Sequence, residues 1–200
     1  REDSLRRFHP WVFSGAIAQI VGEPAEGDIV GVFSQSGEFL AYGHYQVGSI
    51  AVRVLSFAGE DVLSPDFWRN MIARALRVRI AAGLSGSKDT NCYRLVHGEG
   101  DGLPGLIIDY YDGICVMQAH SVGMFRAKGA ISEALKSVYG PSLKAVYDKS
   151  SGTAPFKAGL ELVDGYLYRS EGFSDDEQIV LENGHKFFVN WTEGQKTGFF

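Results

Sequence analysis

Glycine is the feature that most constrains how this chain can fold. The chain has 200 residues, of which 25 are glycine, whereas an average protein has about 7%. Glycine adopts left-handed backbone conformations without a steric cost, so it marks tight turns. In the first part of the chain, glycines separate short apolar runs at 11–13, 16–21, 28–33, 39–43 and 50–55. This spacing predicts the strands of a small β-barrel.

The hydrophobic period changes after the predicted barrel. Residues 65–82 predict a helix, with Ser64 as the N-cap and Pro65 in the first turn. Its predicted buried face consists of Phe67, Trp68, Met71, Ile72, Ala75, Leu76 and Ile80. The arginines of the same segment are expected to lie largely away from that face.

A second unit is predicted over about 91–170. The pattern indicates strands at 93–97, 106–110, 113–119 and 143–148, and a helix near 123–138. Asp112-Gly113 between two apolar runs predicts a hairpin. Asn183-Gly184 predicts a further hairpin, which joins strands at 178–182 and 185–191.

Charge and composition exclude several classes of protein. The formal net charge is −5, so a nucleic-acid partner would need a local patch of Lys and Arg. No apolar run approaches the roughly 20 residues of a transmembrane helix, and the charged start lacks a signal peptide's apolar region. The two cysteines, Cys92 and Cys115, form no zinc-ligand spacing or disulfide framework. We therefore expect a cytoplasmic protein without membrane association.

A glycine-rich turn joins two predicted strands at 94–111 and carries Glu99 and Asp101. Acidic groups this close could bind a hard cation. The interpretation we favour is turn chemistry, in which the carboxylates cap backbone N–H groups. A small-molecule enzyme built on Glu99, Asp101 and Asp109 remains a third hypothesis for function.

Three segments, in order along the chain, resemble one family. RLVHGEGDGLPGLIIDYY at 94–111 closely resembles the central-domain motif of the RlmI-type ribosomal RNA large-subunit methyltransferases. HPWVFSGAI at 9–17 is similar to the opening of that family's PUA barrel, and GQKTGFF at 194–200 to the start of its methyltransferase domain. These enzymes are class I methyltransferases that use S-adenosylmethionine to methylate cytosine at C5.

The resemblance implies an α+β fold in three parts. We expect a PUA-like barrel with its following helix over 1–75, a central α+β domain of EEHEE type over 76–175, and a hairpin entering the methyltransferase domain over 176–200. The family pattern continues beyond Phe200 into a Rossmann-like domain that this sequence lacks. The chain would then be the RNA-recognition portion of the enzyme, inactive alone, with ribosomal RNA as partner and a homodimer as a possible assembly.

The resemblance departs from the family pattern in one loop. Family members carry an Arg-Ser-Asp run and then an Arg-Glu-Gly run, where this chain has Lys149, Ser150, Ser151 and the stretch 156–159. We therefore assign this loop no role in RNA or inter-domain contact.

The resemblance also implies where the cofactor would begin to make contact. S-adenosylmethionine would meet Gln195, Lys196, Thr197, Phe199 and Phe200, since an aromatic can stack on adenine and amides can bind its polar edges. Alternatively, these residues only cap the hairpin and pack it on the missing domain.

For RNA, basic residues beside an aromatic fit phosphate contact with base stacking. The predicted residues are Arg6, Arg7, His9, Trp11, Arg53, Arg74 and Arg77, with Arg69 and Arg79 on the same helix. The alternative is a solvated helix face with ion pairs to Glu60, Asp61 or Asp66. The runner-up function is a non-catalytic RNA-binding or ribosome-associated module, which the gene beyond Phe200 would distinguish.

No catalytic residue or metal ligand is predicted. C5 methylation needs a nucleophile, normally a thiolate, but we expect Cys92 and Cys115 to be small buried hydrophobes. The histidines lack ligand spacing and are expected at strand ends or in the core: His44, His97, His120 and His185.

Overall fold

The structure is a computed structural model that describes residues 2–57, 61–64, 66–155, 159–174 and 178–194. Its strands are β1 Trp11–Phe13, β2 Ile29–Phe33, β3 Phe39–Tyr45, β4 Ile50–Ser56, β5 Cys92–His97, β6 Leu106–Tyr111, β7 Ile114–Ala119, β8 Ala145–Asp148, β9 Gly165–Arg169, β10 Gln178–Glu182 and β11 His185–Val189. Its helices are α1 Asp3–Arg6, α2 Asp66–Ala81, α3 Val122–Arg126 and α4 Lys128–Tyr139. The α+β class is thereby confirmed.

The first sheet is antiparallel, with the order β1-β4-β3-β2. Its two edge strands, β1 and β2, do not pair with each other within the described residues, so the sheet is open there rather than a closed barrel. Its own small core contains Leu5, Val12, Ala41, Val52 and Val54.

The prediction of a strand at 16–21 is wrong. Residues Ser14–Ala16 form one 3-10 turn, and no strand follows before Ile29. Ile20 and Val21 are exposed. Ile17 packs against the core of the first sheet, but the rest of the apolar run pairs with no sheet edge, and periodicity alone could not reveal this.

The second sheet has five strands in the order β5-β6-β7-β8-β9. β7 and β8 are parallel and are connected through α3 and α4, whereas the other neighbours are antiparallel. Three strands thus precede the helices and two follow, one strand more than the EEHEE pattern. The edge strand β9 was not predicted from the sequence. The predicted helix at 123–138 is broken at Ala127 into two.

Helix α2 packs on α4 and β5 and closes one face of this sheet. Phe67, Trp68, Met71, Ile72 and Ala75 are buried as predicted. The prediction that Ile80 is buried is wrong. It is 54% exposed, because the last helical turn extends past the core.

The hairpin β10–β11 covers the opposite face of the same sheet. Its register pairs Glu182 with His185 across Asn183-Gly184, and both turn residues have positive φ, 50° and 80°. This matches the predicted two-residue turn. Val180, Val189 and Trp191 are buried in one cluster with residues of β5, β6, β7 and β8.

The four-stranded sheet packs against the unit that contains the five-stranded sheet, through a contact between β3 and α3. The ring of His44 lies so close to Gly123 that a Cβ there would meet its Cγ at 2.2 Å. Ile29 and Tyr42 of the first sheet pack on the main core of the second unit, to which Leu55 also belongs. Helix α2 runs across the domain boundary that we predict between residues 75 and 76. That boundary stays a prediction. No helix in the described ranges is both long and apolar enough to cross a membrane.

Candidate nucleic-acid interface

The glycine-rich loop, residues 98–105, lies where the first sheet meets the second unit. It opens with a short 3-10 turn at Gly98–Asp101. Gly98, Gly102 and Gly105 all have positive φ, which explains why glycine recurs in this motif. Leu103 is fully buried and fixes the loop to the core.

The carboxylates in and beside this loop each bind a different arginine. Glu99 accepts from Arg53 (3.3 Å), Asp101 pairs with Arg79, and Asp109 accepts from Arg94 at 2.9 and 3.2 Å. Asp101 also accepts the backbone N–H of His97 at 2.6 Å. Within the described ranges, no group of three or more His, Cys, Asp or Glu side chains could hold a metal. The observed role of these three acids is to pair with arginines.

Arg79 is also removed from the RNA candidates. Its side chain is 11% exposed and donates to the backbone oxygen of Arg94 at 2.8 Å as well as to Asp101. The periodicity placed it largely away from the core, but the glycine-rich loop folds over the end of α2 and buries it.

An aromatic and basic cluster lies on β1 beside Glu99. The indole Nε1 of Trp11 donates to Glu99 at 2.8 Å, and the guanidinium of Arg53 lies 5.8 Å from the Trp11 ring centroid. The rings of His9 and Phe13 lie 5.9 and 6.2 Å from the Trp11 ring. The structure therefore brings together three predicted RNA residues that are up to 44 positions apart in the sequence.

Two clefts open on either side of Glu99. One, of about 300 Å³, is lined by Arg53, Arg94, Glu99 and His120, among others. Burial, followed by the nearby charge of Arg53, lowers the pKa of His120. His120 therefore presents a neutral imidazole there, able to exchange hydrogen bonds, near neutral pH.

The other cleft, of about 320 Å³, is lined by Phe8, Phe57, Ser56, Arg74 and Glu99, among others. We call it the Phe8 cleft. The side chain of Phe8 is 72% exposed and its ring meets Phe57 edge-on at 5.4 Å. Phe8 and Ser56 were missed by the sequence reasoning, and an aromatic next to Arg6-Arg7 was the available signal.

The predicted arginines differ in how far their charge is compensated. Arg6 binds Glu38 at 2.6 Å and Glu2 at 3.4 Å, and these bonds raise its pKa. Arg69 pairs with Asp66 at 3.1 Å, as the alternative interpretation foresaw. Arg53 is largely covered and paired with Glu99.

Three predicted arginines remain exposed without a carboxylate partner among the described residues: Arg7, Arg74 and Arg77. Arg74 uses one N–H to donate to the backbone oxygen of Asp101 at 3.1 Å. Arg74 and Arg77 are neighbours on α2 at i, i+3, and Arg7 directly precedes Phe8. Of these three, Arg74 lines the Phe8 cleft, so an uncompensated positive charge lies at this cleft, whereas Arg53 of the β1 cluster is paired with Glu99.

The proposed cofactor residues Gln195, Lys196, Thr197, Phe199 and Phe200 lie outside the described residues. The segment before them is held by Lys149, whose Nζ donates to the backbone oxygens of Trp191 (2.5 Å), Thr192 (3.3 Å) and Gly194 (2.9 Å). The loop that we assigned no contact role therefore orients the end of the hairpin. The sequence signal for this contact was a basic residue, Lys149, directly after the buried strand β8.

The cysteines and histidines are placed as predicted. Burial raises the pKa of Cys92 to about 11 and that of the fully buried Cys115 still further, so neither is a ready nucleophile. His44 is buried, and burial lowers its pKa to about 4. His97 and His185 are exposed at strand ends.

Comparison with known proteins extends the resemblance over the whole chain. Residues 1–57 match a family described as a PUA-like domain. The chain is 41% identical over 206 residues to ribosomal RNA large subunit methyltransferase I of Photobacterium profundum and 38% identical over 205 residues to that of Pseudoalteromonas translucida. All of this chain is covered in both, and 49% of each relative.

Solved structures share the fold. A proposed methyltransferase complexed with SAH has a TM-score of 0.78 at 22% identity, over 100% of this chain and 48% of that one. A proposed SAM-dependent methyltransferase from Streptococcus mutans has a TM-score of 0.74 at 20% identity, over 94% of this chain and 46% of that one.

These matches define an α+β chain with a PUA-like N-terminal part. Over its full length the chain is similar to the RlmI-type ribosomal RNA large-subunit methyltransferases, and it spans about half the length of the curated relatives it matches. The resemblance inferred from three motifs is thus confirmed.

Proposed function

We propose that this chain is the RNA-recognition portion of a cytoplasmic, S-adenosylmethionine-dependent methyltransferase that modifies a cytosine of ribosomal RNA at C5. Relatives named as large-subunit rRNA methyltransferases support the class of substrate. The observation that carries the RNA assignment is Arg74, an exposed arginine that lines one cleft together with the exposed ring of Phe8. Proteins bind unpaired RNA through cations that contact its phosphates and aromatic rings that stack on its bases. An uncompensated arginine next to an exposed aromatic ring provides both.

The division of labour follows from what an RNA base methyltransferase must do. A base inside a helix has to be exposed before its ring can react, so flanking RNA must be held elsewhere on the protein. In our proposal the three predicted parts, 1–75, 76–175 and 176–200, provide this grip and lead to the reacting domain. His9, Trp11 and Arg53 form the part of the proposed RNA-binding surface at β1 and its neighbour β4. Arg6 contributes less, because its guanidinium is paired with Glu38.

S-adenosylmethionine supplies the methyl group. Gln195, Lys196, Thr197, Phe199 and Phe200 would contact it, and Lys149 would hold the preceding residues at a fixed angle through their carbonyl oxygens. Both described cysteines are buried with raised pKa values. We therefore propose that the nucleophile comes from outside this chain and that the chain alone does not turn over. Separately, the family resemblance alone leads us to propose a homodimer.

The experiment is a salt titration of binding to a large-subunit rRNA fragment. Removal of one arginine that binds a phosphate lowers the slope of log affinity against log salt by about one. Arg74→Gln and Arg77→Gln should each flatten the slope by about that amount. Lys88→Gln is the matched control, because Lys88 is exposed and lies next to Asp89, which binds the hairpin turn at Gly184. Equal slopes for all three variants, or no salt-dependent binding by the unaltered chain, would reject the assignment.

A further inference from the structure

We propose that the Phe8 cleft binds one unpaired ribonucleotide, with its base stacked on Phe8, a polar edge of the base bonded to Ser56 and its phosphate on Arg74. The inference rests on the proposed RNA-binding function and adds a specific pocket to it. Nothing in the motifs or in the matches to relatives assigns a ligand to this cleft.

The backbone holds Phe8 in an unfavourable conformation that exposes it. Phe8 has φ of +63°, a region that costs a bulky residue about 1–3 kcal/mol. The conformation is kept by its own N–H, which donates to Leu5 at 2.8 Å, and by the N–H of His9, which donates to Ser4 at 2.9 Å. Since the ring is 72% exposed, burial does not repay the strain. The exposed ring is accessible to a stacking partner.

Ser56 supplies an independent indication of a ligand. It lines the cleft and is 3% exposed, yet its Oγ has no hydrogen-bond partner among the described residues. A buried hydroxyl without a partner is unfavourable by about 1–3 kcal/mol. The Oγ is covered from solvent, so a ligand in the cleft would satisfy it after the Ser56 side chain rotates toward the cleft. Every nucleobase has a donor or acceptor along its edge that could pair with it.

Arg74 provides the charge. Its guanidinium lies against the backbone of Gly102, where a Cβ would approach the Arg74 Nη2 to 2.5 Å. Gly102 also has φ of +73°, so glycine at this position both makes the turn and leaves room for the guanidinium. Among the described residues, Arg74 uses one N–H, which donates to the backbone oxygen of Asp101. An arginine has five such donors, which leaves others for a phosphate.

The size and charge of the cleft fit a single nucleotide. Its volume of about 320 Å³ lies at the lower end of ligand pockets, which are about 300–1,000 Å³. Glu99 also lines the cleft, but its carboxylate is already bound by Arg53 and by the indole of Trp11, which leaves Arg74 as the uncompensated charge. An anionic ligand with a flat aromatic group satisfies all of these features together, which an apolar peptide or a free phosphate does not.

The test compares a single-stranded oligoribonucleotide with an abasic oligomer of the same length, by fluorescence anisotropy at fixed salt. The unaltered chain should prefer the base-bearing strand. Phe8→Leu should remove this preference, with about a tenfold fall in affinity for the base-bearing strand and none for the abasic one, whereas Phe8→Trp should keep it. Phe33→Leu is the matched control, because Phe33 is a similarly exposed phenylalanine on β2.

Ser56→Ala provides a second, independent variant. Because the buried hydroxyl has no partner, its removal should not lower thermal stability, whereas it should weaken binding of the base-bearing strand several-fold. If Phe8→Leu or Ser56→Ala leaves the preference intact while the chain still binds RNA, the nucleotide pocket is refuted and the proposed function stands. If the unaltered chain binds neither oligomer, both proposals fall.

Discussion

At the scale of single residues, glycines decide how closely the parts of this molecule approach each other. Gly123 is the sharpest case, because the ring of His44 occupies the space where a side chain would start. The same imidazole is stacked on Trp68 at 6.4 Å. One missing Cβ thus allows β3 to pack on α3.

Gly123→Ala should therefore destabilise the fold. A Cβ there would lie 2.2–2.7 Å from three ring atoms of His44, and overpacking of this kind costs about 1–3 kcal/mol or more. Gly129→Ala in α4 is the matched control, since no atom lies within 4 Å of its Cβ position. That change should stabilise the helix by about 0.5–1 kcal/mol. Chemical denaturation measures both, and an equal effect of the two substitutions would contradict the close packing.

At the scale of elements, the sequence predicted those units whose signals are local. Asn183-Gly184 and Asp112-Gly113 gave the two hairpins because their turn chemistry is contained in two residues. The buried face of α2 followed from its period through Ala75. The false strand at 16–21 and the missed strand β9 depended instead on whether a partner edge exists, which is a tertiary property.

The candidate site was predictable only in part, for the same reason. Trp11, Arg53 and Arg74 were identified by residue type, but pairing with Glu99 covers Arg53 and leaves Arg74 as the freer cation. Arg79 was misassigned, because its partner Asp101 is 22 positions away. Ser56 gave no sequence signal, since its lack of a partner is visible only in three dimensions.

The attachment of α2 to the glycine-rich loop is testable through Arg79. The side chains of Arg79 and Asp101 are 11% and 7% exposed, and removal of one partner of a buried ion pair costs about 3–5 kcal/mol. Arg79→Met should lower the free energy of unfolding by about that much. Arg77→Met, two residues earlier and exposed, should change it by less than about 0.5 kcal/mol. Equal unfolding midpoints for the two variants would show that the pair does not hold the loop.

At the scale of the whole molecule, the chain combines a PUA-like unit, a five-stranded sheet and a hairpin around one junction. Its net charge of −5 disfavours general attraction to RNA. Under our proposal, RNA recognition would therefore depend on the exposed, uncompensated arginines Arg7, Arg74 and Arg77. The chain spans about half the length of the curated relatives it matches, and our proposal assigns RNA binding to this half.

The most direct measurement of that central claim is methyl transfer from labelled S-adenosylmethionine to large-subunit rRNA by the full-length protein, with and without Arg74→Gln. A residue that grips RNA in the ground state and in the transition state alike changes KM and leaves kcat unaltered. We predict that KM for rRNA rises several-fold at constant kcat, and that the 200-residue chain alone transfers no methyl group. A fall in kcat at constant KM, or turnover by the chain alone, would contradict this division of roles.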